Sequence, residues 1–132
     1  MFNRMFNSKN PNQGKEERVL CVCSAGLLRS PTVAAVMWEM GYNTRAAGID
    51  SGHALIPVDE VLVHWADSFV VMDIEIGETL RLKFPNETQG KPIYNYSLPD
   101  CYERNHPELI HFARQRTENR KDYELLQEES PT

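Results

Sequence analysis

The chain lacks a long apolar run, an excess of positive charge and any cysteine framework, and each absence narrows what it can be. No stretch approaches the ~20 apolar residues of a membrane helix, so no membrane partner is expected. Lys and Arg number 14 against 19 Asp and Glu, giving a net charge of −5, which argues against nucleic acid, since phosphate backbones are held by basic surfaces. Three cysteines, an odd number with no export signal, fit a reducing, cytoplasmic compartment better than a disulfide scaffold. No repeat at a solenoid's period and no low-complexity segment is present. The opening MFNRMFNSKNPNQGKEE is too polar for a signal peptide and reads as a loose leader over 1–17, ahead of one domain over 18–127 and a frayed tail over 128–132. With 132 residues, 41% of them hydrophobic and 25% charged, the chain is long enough for a modest core but not for two.

What is there is an alternation of strand and helix signals. Val19–Val22 is a short apolar run, and Val33, Val36, Met37 and Met40 then recur at helical spacing, with Gly41 as a stop. Asn43–Ala47 is a candidate second strand. Pro57 opens a stretch in which Val58, Val61, Leu62 and Trp65 repeat on one helical face. Ser68–Met72 is β-branched and apolar, as a buried parallel strand requires. Ile76, Leu80 and Phe84 mark a helix ended by Pro85; Ile93–Tyr96 gives a fourth strand, and Pro107 starts a last helix through Leu109, Phe112 and Ala113, into which the charged tail from Thr117 can extend. The expected fold is a single α/β domain: a four-stranded parallel sheet with helices on both faces and a phosphate-binding loop after the first strand.

That loop carries most of the chemistry. Cys23-Ser24-Ala25-Gly26-Leu27-Leu28-Arg29, followed by Ser30-Pro31, sits between the first strand and the first helix. Its spacing lets the backbone curl so that successive N–H groups, from Ser24, Ala25, Gly26, Leu27, Leu28, Arg29 and Ser30, face an anion such as phosphate, sulfate or vanadate. The helix adds its positive end, and Pro31 suits a first turn, where its missing N–H costs nothing. Arg29 can close the ring with a planar fork that fits two phosphate oxygens, and the same field favours thiolate over thiol in a cysteine so placed. In open α/β sheets the site lies at the carboxyl ends of the strands. Cys23, then Ile49 and Asp50, then Asp73, then Asp100 follow successive strands, so all converge on one rim.

The stretch VLCVCSAGLLRSPTVA resembles the phosphate loop of the low-molecular-weight protein tyrosine phosphatases. Further likeness lies in Arg45–Asp50, in Trp65–Asp73, and in Leu98-Pro99-Asp100-Cys101-Tyr102 with Pro107-Glu108-Leu109, so the resemblance spans about residues 18–116 and is nearest the short bacterial and phage branch. It implies a cysteine-dependent hydrolase without cofactor or metal. Cys23 would attack phosphorus to give a phosphocysteine, Asp100 would protonate the leaving oxygen, Arg29 would hold the equatorial oxygens, and Ser30 would donate to the sulfur. The implied substrate is a phosphotyrosine-containing protein or a small aryl phosphate, with Tyr102 as a pocket wall and Leu27, Ile49 and His53 as further wall candidates. The sequence departs from the family pattern in three ways. Gly26 replaces the usual loop Asn, and Ala46 stands where its serine partner would be; Leu28 replaces a second loop cysteine; Cys101 replaces the proline after the acid.

Other residues have plainer readings. Cys21 reads as a buried strand residue, because Cys21 and Cys23 without a partnering cluster make a poor zinc site. Asp73 reads as the cap of the helix that follows it, His64 and Trp65 as part of a core-facing helix, and His106 as a loop residue. Two other functions remain: arsenate reduction, for which only Cys21 and Cys101 could relay a disulfide, and a silent phosphoprotein-binding module, which would have no need to keep Cys23, Arg29 and Asp100 together.

Overall fold

In a computed structural model, described over residues 17–24, 29–50, 56–99 and 105–125, the chain forms an open α/β sheet. Strand β1 (Arg18–Cys23) is buried from Val19 onward, because it lies in the middle of the sheet with both faces covered. Helix α1 (Arg29–Glu39) follows and ends at Gly41, whose φ of 107° lies in the left-handed region that glycine enters without a Cβ clash. Strand β2 (Asn43–Gly48) then pairs with one edge of β1 in parallel. Helix α2 (Glu60–Trp65) leads to β3 (Ser68–Val71), which pairs with the other edge of β1. Helices α3 (Ile74–Lys83) and α4 (Pro85–Thr88) lead on to β4 (Ile93–Asn95). After α5 (Pro107–Glu118), a 3₁₀ turn (Arg120–Tyr123) delivers β5 (Glu124–Leu125) to the far edge.

The strand order is β2-β1-β3-β4-β5. Passing left from β1 to β2 and then back to β3, with right-handed crossovers, puts α1 on one face and α2 and α3 on the other. The contacts agree: α1 packs on β1, β2 and α5, whereas α2 packs on β1, α3 on β3 and β4, and both on α4. Between them lies one core in which Leu20, Met37, Phe69, Met72, Leu80, Ile93 and Leu109 are fully buried. Tyr96 is buried there too, and its hydroxyl is satisfied by Thr117 at 2.9 Å, as a buried phenol requires. No helix among the described residues is long and apolar enough to cross a membrane.

The structure corrects the sequence reading in three places. The sheet has five strands rather than four, and the fifth runs antiparallel, Ile93 facing Leu125 and Tyr94 facing Glu124. So the charged segment after Thr117 does not simply prolong the last helix. Pro57 does not open a helix. It bridges Gly48 at the end of β2, and α2 starts three residues later behind Asp59, whose carboxylate accepts the Leu62 N–H at 2.9 Å. Pro85 does end α3, but it also opens α4, since a proline at the first helical position gives up no bond.

The lower end of the sheet is tied by charge. Arg120 binds Glu17 through both guanidinium nitrogens, at 2.8 and 3.1 Å, and stacks over Tyr94 (4.5 Å) and Tyr42 (5.0 Å). Glu17 also accepts the Ser68 hydroxyl. Beside it, Asp67 receives the Arg18 backbone N–H at 2.9 Å and its guanidinium at 3.1 Å.

Candidate active site

Order 2-1-3-4 has its topological switch between β1 and β3, where successive crossovers diverge to opposite faces and leave a crevice at the strand ends. Cys23 is the last residue of β1 and stands at that crevice. The neighbouring strand ends are laced to it. Ile49 N–H donates to the Cys23 carbonyl at 2.9 Å and Asp50 N–H to the Ser24 carbonyl at 2.8 Å, while Met72 N–H donates to Val22 at 3.2 Å. The loops after β1, β2 and β3 thus share one hydrogen-bonded rim.

Around the sulfur, Ser30 Oγ lies 3.1 Å from Cys23 Sγ and 3.4 Å from the Ala47 carbonyl oxygen. A hydroxyl has one proton to give, and the nearer partner gains most when it is a thiolate. Ser30 is fully buried, so its position is fixed by packing in the first turn of α1. Cys21, two residues back on the same face of β1, is also fully buried, and burial pushes its thiol well above the ordinary range. It therefore stays protonated at neutral pH, and among the described residues Cys23 is the cysteine at the rim.

Arg29 is 4% exposed, so its charge must be met inside the protein. One guanidinium nitrogen donates to the Leu98 carbonyl at 2.9 Å and lies 3.8 Å from an Asp73 carboxylate oxygen. Asp73 is held by its capping role: the same carboxylate group accepts the Ile76 N–H at 3.2 Å. The cap expected from sequence is thus present, and it also faces the arginine. Beside this pair opens a cleft of about 570 Å³, lined by Ser24, Arg29, Asp73, Asn95, Ser97 and Pro99 among others.

Cys23, Ser24, Arg29, Ser30 and Ile49 therefore meet at one rim. Ala25, Gly26, Leu27, Leu28, His53, Asp100, Cys101 and Tyr102 lie outside the described residues. His106 caps α5, its Nδ1 accepting the Glu108 N–H at 3.1 Å. Trp65 packs against the core with Arg45 stacked over its ring at 4.6 Å, whereas His64 is exposed. What the sequence reading missed is the part played by Leu98, whose carbonyl accepts from the arginine at 2.9 Å. A main-chain acceptor leaves no mark in side-chain identity. Among the described residues no group of three His, Cys, Asp or Glu side chains could hold a metal ion.

No protein-family model matches the chain, and no curated protein sequence does. Solved structures do share its fold. The tyrosine phosphatase Wzb from Escherichia coli K30, in complex with phosphate, superposes with a TM-score of 0.61 at 17% identity, over 79% of this chain and 95% of that one. A low-molecular-weight phosphotyrosine phosphatase from Vibrio cholerae O395 gives 0.61 at 19% identity, over 80% and 97%. The YwlE arginine phosphatase from Geobacillus stearothermophilus gives 0.56 at 17%, over 81% and 89%. The fold is that of the low-molecular-weight phosphatases, with a mostly parallel sheet and helices on both faces.

Proposed function

We propose that the chain is a cysteine-dependent phosphatase that hydrolyses phosphotyrosine or other aryl phosphate esters through a phosphocysteine. The observation that carries this reading is the meeting of a rim cysteine, a buried serine hydroxyl 3.1 Å from its sulfur and a buried arginine at the switch point of the sheet. The shared fold with tyrosine phosphatases supports it. In the first step the Cys23 thiolate forms an S–P bond as the ester P–O bond breaks, and Asp100 gives its proton to the departing oxygen. In the second step Asp100 takes a proton from water, which attacks phosphorus; the S–P bond breaks and inorganic phosphate leaves. Arg29 and the loop N–H groups meet the charge that spreads over the equatorial oxygens. The Ser30 hydroxyl stabilises the thiolate as it forms again.

The test is turnover of p-nitrophenyl phosphate and a phosphotyrosine peptide by the wild type and three variants. Cys23→Ser should abolish hydrolysis while leaving vanadate binding measurable. Arg29→Lys should lose most activity, because an ammonium cannot supply the bidentate fork. Asp100→Asn should slow phenyl phosphate far more than p-nitrophenyl phosphate, since nitrophenolate departs without help, and general acids are worth about 10²–10⁴-fold. Near wild-type turnover by Cys23→Ser would sink the reading. Phosphoarginine belongs in the substrate panel, because an arginine phosphatase has the same fold. Arsenate turnover coupled to thioredoxin would mark a reductase instead, and tight phosphopeptide binding without phosphate release a binding module.

A further inference from the structure

Asp73 carries a charge that neither step of the hydrolysis uses. One of its carboxylate oxygens accepts the Ile76 N–H at 3.2 Å, and the other lies 3.8 Å from a guanidinium nitrogen of Arg29, so the group is held on two sides. Yet the Asp73 side chain is 45% exposed, against 5% for that of Arg29. The difference comes from its place: it caps α3 just past the end of β3, on the wall of the cleft of about 570 Å³ that opens beside the arginine. The other described residues of that wall, Ser24, Asn95, Ser97 and Pro99 among them, carry no charge. Among the described residues the cleft therefore presents one buried cation and one half-exposed anion.

A phosphate ester seated against Arg29 brings its own negative charge close to that carboxylate. Like charges a few ångströms apart repel, and a partly buried pair is screened less than one in open solvent. A substrate with a cation beside its phosphate offsets the repulsion and gives the outward side of Asp73 a partner. We propose that Asp73 is a specificity-determining residue: it selects phosphate esters flanked by positive charge, of which a phosphotyrosine with neighbouring lysines is the peptide form. The proposal rests on the phosphatase reading. Asp73 makes and breaks no bond; it separates one substrate from another through charge alone. The net charge of −5 acts in the same direction at longer range, since it draws cationic chains in before they dock.

The experiment measures kcat/KM on two phosphotyrosine peptides of equal length, one flanked by lysines and one by glutamates. Turnover of p-nitrophenyl phosphate and inhibition by inorganic phosphate are measured alongside. Wild type is compared with Asp73→Asn, Asp73→Ser and Asp67→Asn. Asparagine and serine cap a helix about as well as aspartate, so α3 keeps its first turn. Asp67→Asn removes the same charge at the other end of β3. Wild type should favour the lysine peptide about five-fold, the scale of a partly exposed charge pair. That preference should shrink in ~1 M salt, where the screening length falls to about 3 Å. Both Asp73 variants should bring the two peptides level and bind inorganic phosphate more tightly, whereas Asp67→Asn should keep the wild-type preference. Weaker phosphate inhibition in the Asp73 variants, with all three esters slowed alike, would show that Asp73 merely steadies Arg29, and the proposal would fail. It would fail equally if wild type showed no preference, if the Asp73 variants kept it, or if Asp67→Asn erased it as fully. A wild type inert on all three esters would instead remove the phosphatase reading, and this inference with it.

Discussion

Asp67 shows how a single exposed side chain couples folding to pH. Its carboxylate accepts three hydrogen bonds from Arg18, one from the backbone N–H and two from the guanidinium. The side-chain hydrogen bond is the chief cause that holds its pKa below the ordinary carboxylate value; partial burial acts the other way. A carboxyl group whose folded pKa is depressed adds stability above its unfolded pKa, about 3.9, and loses it as pH falls through the lower folded value. Both partners are roughly half exposed, with side-chain exposure of 46%, so the gain is small. Asp67→Asn should lower the thermal midpoint slightly at pH 7, and the difference from wild type should vanish on acidification below the carboxylate range. A difference that persisted at low pH would mean that the shape of the contact, and not its charge, matters.

Helix α3 sits close to the sheet because of Gly77. A Cβ there would come within 3.0 Å of Leu125 Cδ1, 3.4 Å of Val71 Cγ2 and 3.5 Å of Ile93 Cγ2. The first of these is the tip of a half-buried side chain on a two-residue edge strand, which can turn away; the other two belong to buried strands that cannot. Alanine gains about 1 kcal/mol of helix propensity over glycine, which offsets the shift of Leu125. Gly77→Ala should therefore leave stability within about 1 kcal/mol of wild type, whereas Gly77→Val should cost about 1–3 kcal/mol by overpacking; chemical denaturation measures both. The same elements show what could be read from sequence. β1 and β3 were legible because burial on both faces demands an unbroken apolar run, as in Val19–Val22 and Ser68–Met72. β5 was not, because two residues have no period and pair only through the return of α5. At the site, Cys23, Arg29 and Ser30 announced themselves by spacing. The Leu98 carbonyl did not, since a main-chain acceptor carries no side-chain signature.

Across the whole molecule, chemistry and tethering occupy opposite poles. The candidate site lies at the carboxyl ends of β1 and β3, while Glu17 binds Arg120 and Asp67 binds Arg18 at the amino ends. Arg120 locks the last segment onto the first residue of the described domain, and Leu125 is only three strand steps from β1, about 4.8 Å each. The described domain thus begins and ends close together, with a narrow gap between its two ends. Where that gap falls should matter little to the fold. Residues 1–16 and 126–132 supply ample chain to close it, at about 3.3 Å per residue. A new opening between Gln89 and Gly90, an exposed turn in which Gly90 has φ 77°, cuts no strand and lies on the pole away from Cys23. Such a circular permutant should keep the parent's far-UV circular dichroism and its aryl phosphate turnover. A permutant that folded but had lost turnover would reveal a link between the two poles that their separation gives no reason to expect.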